Sequence, residues 1–124
     1  MRYLKDEELK LASRFLFLSM AIVVIQLDIG HIEQGQFKIK NPYLFLLRKM
    51  VSKATNERRR LRKLMKDKGI QVVMQHKTES FTTVLYLCKG KEEQKDYFNP
   101  AIRKKVEIII QDLIQTSLDY PRDP

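Results

Sequence analysis

The chain carries one cysteine, two histidines and no tryptophan, and the first two shortages each remove a class of function. With Cys88 alone, no internal disulfide can form, and adding His31 and His76 still leaves too few ligands for a four-ligand Cys/His zinc site. Glycine is equally scarce: four in the whole chain, none arranged as a phosphate-cradling loop. Four prolines and four glycines argue against long flexible linkers. The longest apolar run, FLFLSMAIVVI at residues 15–25, has eleven residues and is interrupted by Ser19. A bilayer-crossing helix needs about 20 apolar residues, and Arg14, Gln26 and Asp28 flank the run. Asp6, Glu7 and Glu8 stand where a secretory leader would be basic. No membrane association is expected, and a single thiol fits a reducing, cytoplasmic setting.

What the chain does have is positive charge, concentrated in one place. Residues 48–68 hold ten Lys and Arg against only Glu57 and Asp67, a net of +8 out of +9 for all 124 residues. A charge localised in this way sets up a directed field that attracts polyanions, whereas a diffuse excess acts mainly on solubility. With 44% hydrophobic and 31% charged residues, the composition is that of a folded domain, and the length suits a single one spanning 1–124.

Periodicity divides the chain into an α+β order, a helix-rich small domain with a β-hairpin between a basic helical region and a C-terminal helix. The first helix, over 6–29, opens on Asp6 as N-cap with Glu7 and Glu8 in its first turn and stops at Gly30. It carries two apolar stripes: Leu11, Phe15, Leu18, Ile22, Ile25 and Ile29, and beside them Leu9, Ala12, Leu16, Met20, Val23 and Leu27. Both need partners: either the rest of the domain wraps a central helix, or the second stripe forms a homodimer interface, which is the reading favoured because few elements exist to cover both. The alternation of Phe37 and Ile39 across lysines predicts a short strand. Asn41 and Pro42 mark the start of a basic helical region over 42–68, with an apolar stripe of Tyr43, Leu47, Met50, Ala54, Leu61 and Leu64. β-Rich runs at 70–77 and 81–88 around Thr78, Glu79 and Ser80 predict a hairpin, and KGKEEQKD follows as a polar connection. Asn99 and Pro100 open the last helix, 99–118, and the DYPRDP end should fray.

The stripe of the basic region is interrupted at Glu57, and Ser52, Thr55 and Asn56 are residues that cap a new helix. One long helix and two shorter ones both fit. Two helices would give the order helix, strand, helix, helix, strand, strand, helix, which resembles the winged helix-turn-helix domains in topology alone. The resemblance implies a recognition helix over 55–68 that turns Asn56, Arg58, Arg59 and Arg62 toward DNA, with the hairpin tip over 77–80 as the wing.

Either reading leaves the same cations on one surface: Lys49, Lys53, Arg58, Arg59, Arg60, Arg62, Lys63 and Lys66, with Asn56 among them. Guanidinium groups one helical turn apart, such as Arg58 and Arg62, match phosphates along a nucleic-acid backbone. Nucleic acid, DNA rather than RNA, is therefore the expected partner, and an acidic protein is the alternative. No enzyme is expected. His31, just past a helix end, reads as a carbonyl cap, His76 as a solvent-facing strand residue and Cys88 as a small hydrophobe. Glu92 and Glu93 have no metal-ligating spacing, and no cofactor is implied.

Overall fold

The structure, a computed structural model, describes residues 3–118 and runs α1 (Asp6–Gln34), α2 (Asn41–Lys68), β1 (Ile70–Lys77), β2 (Phe81–Cys88), β3 (Lys91–Phe98) and α3 (Asn99–Leu118). The DYPRDP end, expected to fray, lies outside the described residues. Three helices pack on one face of a three-stranded antiparallel sheet of order β1-β2-β3, an α+β fold.

α1 and α2 form an antiparallel hairpin, with Arg14 opposite Glu57 and Glu33 opposite Arg48. α2 buries Leu44, Met50, Ala54 and Met65, and Leu47, Val51 and Leu61 pack partly buried against the core. Most of this seam recurs at alternating steps of three and four residues, the spacing that keeps one side of a helix against its neighbour. Two residues of the expected stripe leave it: Tyr43 is exposed, its place taken by Leu44, and Leu64 is 47% exposed, its place taken by Met65.

α1 differs from expectation at both ends: Asp6, expected as the N-cap, is its first helical residue, with Lys5 in the cap position. Gly30 lies inside the helix, which continues through His31 and Ile32 to Gln34 because Ile29 and Ile32 still find partial burial on the α2 side. The chain leaves the helix at Gly35, in extended backbone. His31 is accordingly a last-turn residue of α1 and not a cap beyond its end. The exclusion of a membrane span on length also fails. Extended past Gln26 and Asp28, α1 holds an 18-residue window of mean hydropathy 2.0, enough by length and composition to cross a bilayer, with 28% of that window buried in the fold. In the structure α1 packs against α2, α3, β1 and β2. These elements cover Ala12 and Leu16 of its second stripe and leave Val23 and Leu27, 54% and 59% exposed, as what remains of the expected dimer face.

The Phe37–Ile39 alternation forms no strand. Both residues lie in the irregular α1–α2 connection, exposed, with the Phe37 ring set edge-on to Tyr43 at 6.4 Å. Conversely, the polar KEEQKDYF stretch is not a connection but strand β3, paired along its length with β2 from Cys88–Lys91 to Phe81–Phe98. It is an edge strand, where charged side chains are common because they discourage pairing with a further chain. Lys91, Glu93, Lys95 and Tyr97 alternate inward with the exposed Glu92, Gln94, Asp96 and Phe98. The turn into it, Lys89–Gly90, has φ of 47° and 80°, the left-handed pair that a two-residue type I′ hairpin requires. The hairpin predicted from 70 to 88 is thus two-thirds of a meander.

The central strand supplies the sheet's share of the core through Thr82, Val84, Tyr86 and Cys88, all buried. The Tyr86 hydroxyl, which would be costly to bury alone, pairs with that of Tyr97 at 2.8 Å. Burial first, and then this bond, raise the Tyr86 pKa far above the ordinary phenol range. Asn99 ties the β1–β2 turn to the start of α3: its amide donates to the carbonyls of Thr78 and Glu79, and its oxygen accepts from Thr82 Oγ1 at 2.7 Å.

A charged clasp joins the start of α1 to β3. The Glu8 carboxylate accepts from Lys91 Nζ at 2.7 Å, from the Lys5 backbone N–H at 2.8 Å and from the Cys88 thiol at 3.4 Å. The Lys91 bond, followed by that of Lys5, holds the Glu8 pKa at about 2 against an ordinary 4.5. Because the folded value is the lower one, the stabilisation is complete above pH 4.5 and is lost as pH falls toward 2. Denaturant midpoints measured from pH 7 to 2 should therefore drop across that window, and in Glu8→Gln the drop should be smaller. Parallel profiles for the two proteins would show that the clasp contributes nothing.

Candidate nucleic-acid interface

The basic region is one unbroken helix. No break occurs at Thr55, so the separate recognition helix required by the winged arrangement is absent. The interruption that made a break readable has another cause: Glu57 and Arg58 are used to bind α1. The Arg14 guanidinium donates to both Glu57 oxygens, Nε at 2.7 Å and Nη2 at 2.9 Å. This bidentate pair lowers the Glu57 pKa and raises that of Arg14, in each case through the hydrogen bonds first. Next to it, Arg58 Nε donates to Ser19 Oγ at 2.7 Å, and the guanidinium carbon stands 4.6 Å from the Phe15 ring centroid.

Arg58 therefore belongs to the α1-facing side of the helix and does not project outward with its neighbours, as the sequence reading had it. Its spacing of four from Ala54 and three from Leu61 is the seam's own period and is the signal that places it there. Lys53 is also engaged, donating through Nζ to the Thr116 carbonyl near the end of α3. Lys49 is half-buried, and Asn56, exposed, accepts from Arg59 at 3.4 Å. The remaining predicted residues, Arg59, Arg60, Arg62, Lys63 and Lys66, are exposed, and among the described residues no carboxylate lies within 4.0 Å of their charged nitrogens.

Lys49, Lys53, Asn56, Arg60 and Lys63 follow one another at steps of three or four, with Arg59 and Lys66 beside them, so they form a single ridge. From Lys49 to Lys66 it is about 25 Å long at the helical rise of 1.5 Å per residue. With Glu57 turned to Arg14, Asp67 is the only acid that α2 leaves outside the α1 contact. The ridge is rigid because its opposite side is the hairpin seam.

On the flank of the ridge, α2 and β1 enclose a groove of about 720 Å³, lined by Arg58, Arg62 and Lys66 and by no acid. A larger groove, about 980 Å³, lies between α1, α3 and the β1–β2 turn over Met20, Val24, Ile102 and Val106. It carries Lys77 and Arg103 together with Glu79 and Glu107, and so has no preference of sign. His76 is exposed on β1, and Cys88 is buried, its pKa raised by that burial and then by Glu8. Among the described residues, no three His, Cys, Asp or Glu side chains are grouped to hold a metal ion.

Fold and surface together define a class: a small α+β protein in which an antiparallel helical hairpin, backed by a three-stranded meander, presents a basic ridge. Over residues 3–118 the chain matches the YhjD protein family, and it belongs to that family. It is 33% identical over 107 residues to the uncharacterized protein YhjD of Bacillus subtilis (strain 168), an alignment covering 86% of this chain and 89% of that protein. No solved structure matches it.

Proposed function

We propose that this protein binds nucleic acid, and duplex DNA in particular, by laying the α2 ridge along the phosphate backbone. One observation carries the reading: five cations, Arg59, Arg60, Arg62, Lys63 and Lys66, stand exposed on a rigid helix with no ion-pair partner among the described residues. A protein that needed charge only for solubility would intersperse both signs along such a helix. The cost of gathering like charges is offset when a polyanion arrives and each neutralised phosphate releases its counterions. An exposed α-helix face suits the major groove of B-form DNA, about 12 Å wide, where it meets the phosphates on either side, better than the deep and narrow major groove of A-form RNA. Phosphate contacts position without reading sequence, so the binding expected from this ridge alone is weakly selective.

Fluorescence anisotropy with duplex DNA, single-stranded DNA and RNA of one sequence tests the reading. Duplex DNA should bind at micromolar Kd or tighter in 50 mM salt and lose about two to three orders of magnitude by 200 mM, as expected for about five phosphates. If none of the three binds below about 10 μM at 50 mM salt, where nonspecific electrostatic binding is strongest, the nucleic-acid reading fails, and an acidic protein is the partner to test next.

A further inference from the structure

The groove beside the ridge is concave where the ridge is convex, and one of its cations is fixed in advance. Arg58 is held at Nε by Ser19 Oγ, and its guanidinium lies over the Phe15 ring. The Ser19 hydroxyl in turn donates to the Phe15 carbonyl at 2.7 Å, which leaves its lone pairs for Arg58. Of the five N–H donors of the guanidinium, one is used among the described residues. The other four sit on a side chain whose rotamer freedom was lost on folding, so a ligand taking them up does not bear that ordering cost. Arg62 and Lys66 follow one and two turns along the same flank and line the same groove, with Gln71 of β1 across from them.

We propose that this groove is a phosphate seat, with Arg58 as its fixed fork and Arg62 and Lys66 as the exposed cations that close on the anion. Three cations lining one groove without a carboxylate call for a group with more than one charged or shared oxygen, and the guanidinium fork matches the geometry of phosphate oxygens. The assignment rests on the nucleic-acid reading for the source of the phosphate, a backbone phosphodiester beside the bound ridge. Free phosphate is the other source of the same chemistry.

Two measurements separate them. In anisotropy titrations with duplex DNA, Arg58→Lys, which keeps the charge but removes the fork, and Arg62→Ala should each weaken binding about tenfold, and Arg60→Ala on the ridge about threefold. In parallel, inorganic phosphate is titrated into ¹⁵N-labelled protein while the Arg58 Nε–H resonance is followed. Saturable movement in the wild type that is lost in Arg62→Ala shows the seat occupied. DNA binding with Arg58→Lys and Arg62→Ala no weaker than Arg60→Ala overturns the seat and leaves the ridge reading intact. No nucleic-acid binding, with saturable phosphate shifts lost in Arg62→Ala, keeps the seat for a free phosphate ligand and overturns the ridge reading. Neither response overturns both. If circular dichroism shows Arg58→Lys to be unfolded, Ser19→Ala takes its place. That change leaves the charge and frees the fork, and should weaken DNA binding about threefold to fivefold.

Discussion

Replacing Arg59, Arg60, Lys63 and Lys66 together by Gln lowers the affinity for duplex DNA in 50 mM salt by at least about a hundredfold and flattens the salt dependence. Each phosphate contact contributes about 0.9 to the slope of log K against log salt, so losing four reduces it by up to about 3.6. Glutamine keeps an unbranched polar side chain and much of the helix propensity of the residues it replaces, so the change falls mainly on charge. The same variant should melt at an equal or slightly higher temperature. Arg59–Lys63, Lys63–Lys66 and Arg59–Lys66 are like charges one or two turns apart on exposed sites, and neighbours three or four apart repel by a few tenths of a kcal/mol. Binding lost while stability holds or rises is the signature of residues kept for a partner. An unchanged slope would mean that the ridge does not meet phosphates.

Leu18→Ala should lower unfolding free energy by about 3 kcal/mol, in the lower part of the range for a buried leucine truncated without full collapse of the site. Leu18 has no exposed surface and sits on α1 within the core shared by all three helices and the sheet. For a domain of this size the loss corresponds to a fall in Tm of about 10–15 °C, readable by differential scanning calorimetry. Leu64→Ala is the paired control. Although the sequence pattern assigns Leu64 to the seam, its 47% exposure limits the cost to under about 1 kcal/mol. Equal losses at the two sites would contradict the packing of α1 and α2.

The strands legible in the sequence were those rich in β-branched and aromatic residues. Residues 81–88 alternate such residues against the core, and residues 70–77 concentrate them although only Ile70 is buried; they form β1 and β2 over those bounds. β3 was not legible because most of its side chains are charged or polar, which an edge position allows. What makes KEEQKDYF extend is the β2 ladder and the Lys89–Gly90 turn, neither of which shows in its own composition. Gly30 was misread for another reason: an isolated glycine costs a helix only about 1 kcal/mol, and Ile32 beyond it still finds partial burial.

The ridge was legible residue by residue, except at Arg58 and Lys53. Helical spacing places Lys49, Asn56, Arg59, Arg60, Lys63 and Lys66 away from the seam whether or not the helix breaks. Arg58 is an arginine on the apolar period, and sequence alone does not reveal that Ser19 and Phe15 wait opposite it. The groove between α2 and β1 was missed entirely, since it is made by residues 15, 58–66 and 69–73 meeting in space.

The contacts of Arg14 with Glu57 and of Ser19 with Arg58 also index the hairpin. Apolar helix surfaces tolerate sliding by a whole turn, because one leucine replaces another every 5.4 Å or so along the axis. A guanidinium and a carboxylate do not, since one turn of slip breaks the bidentate Arg14–Glu57 pair and the Arg58–Ser19 bond together. These two adjacent polar contacts therefore select a single alignment of α1 and α2 out of several of similar apolar area. The positions of the ridge relative to the sheet, and the width of the groove between them, follow from that alignment.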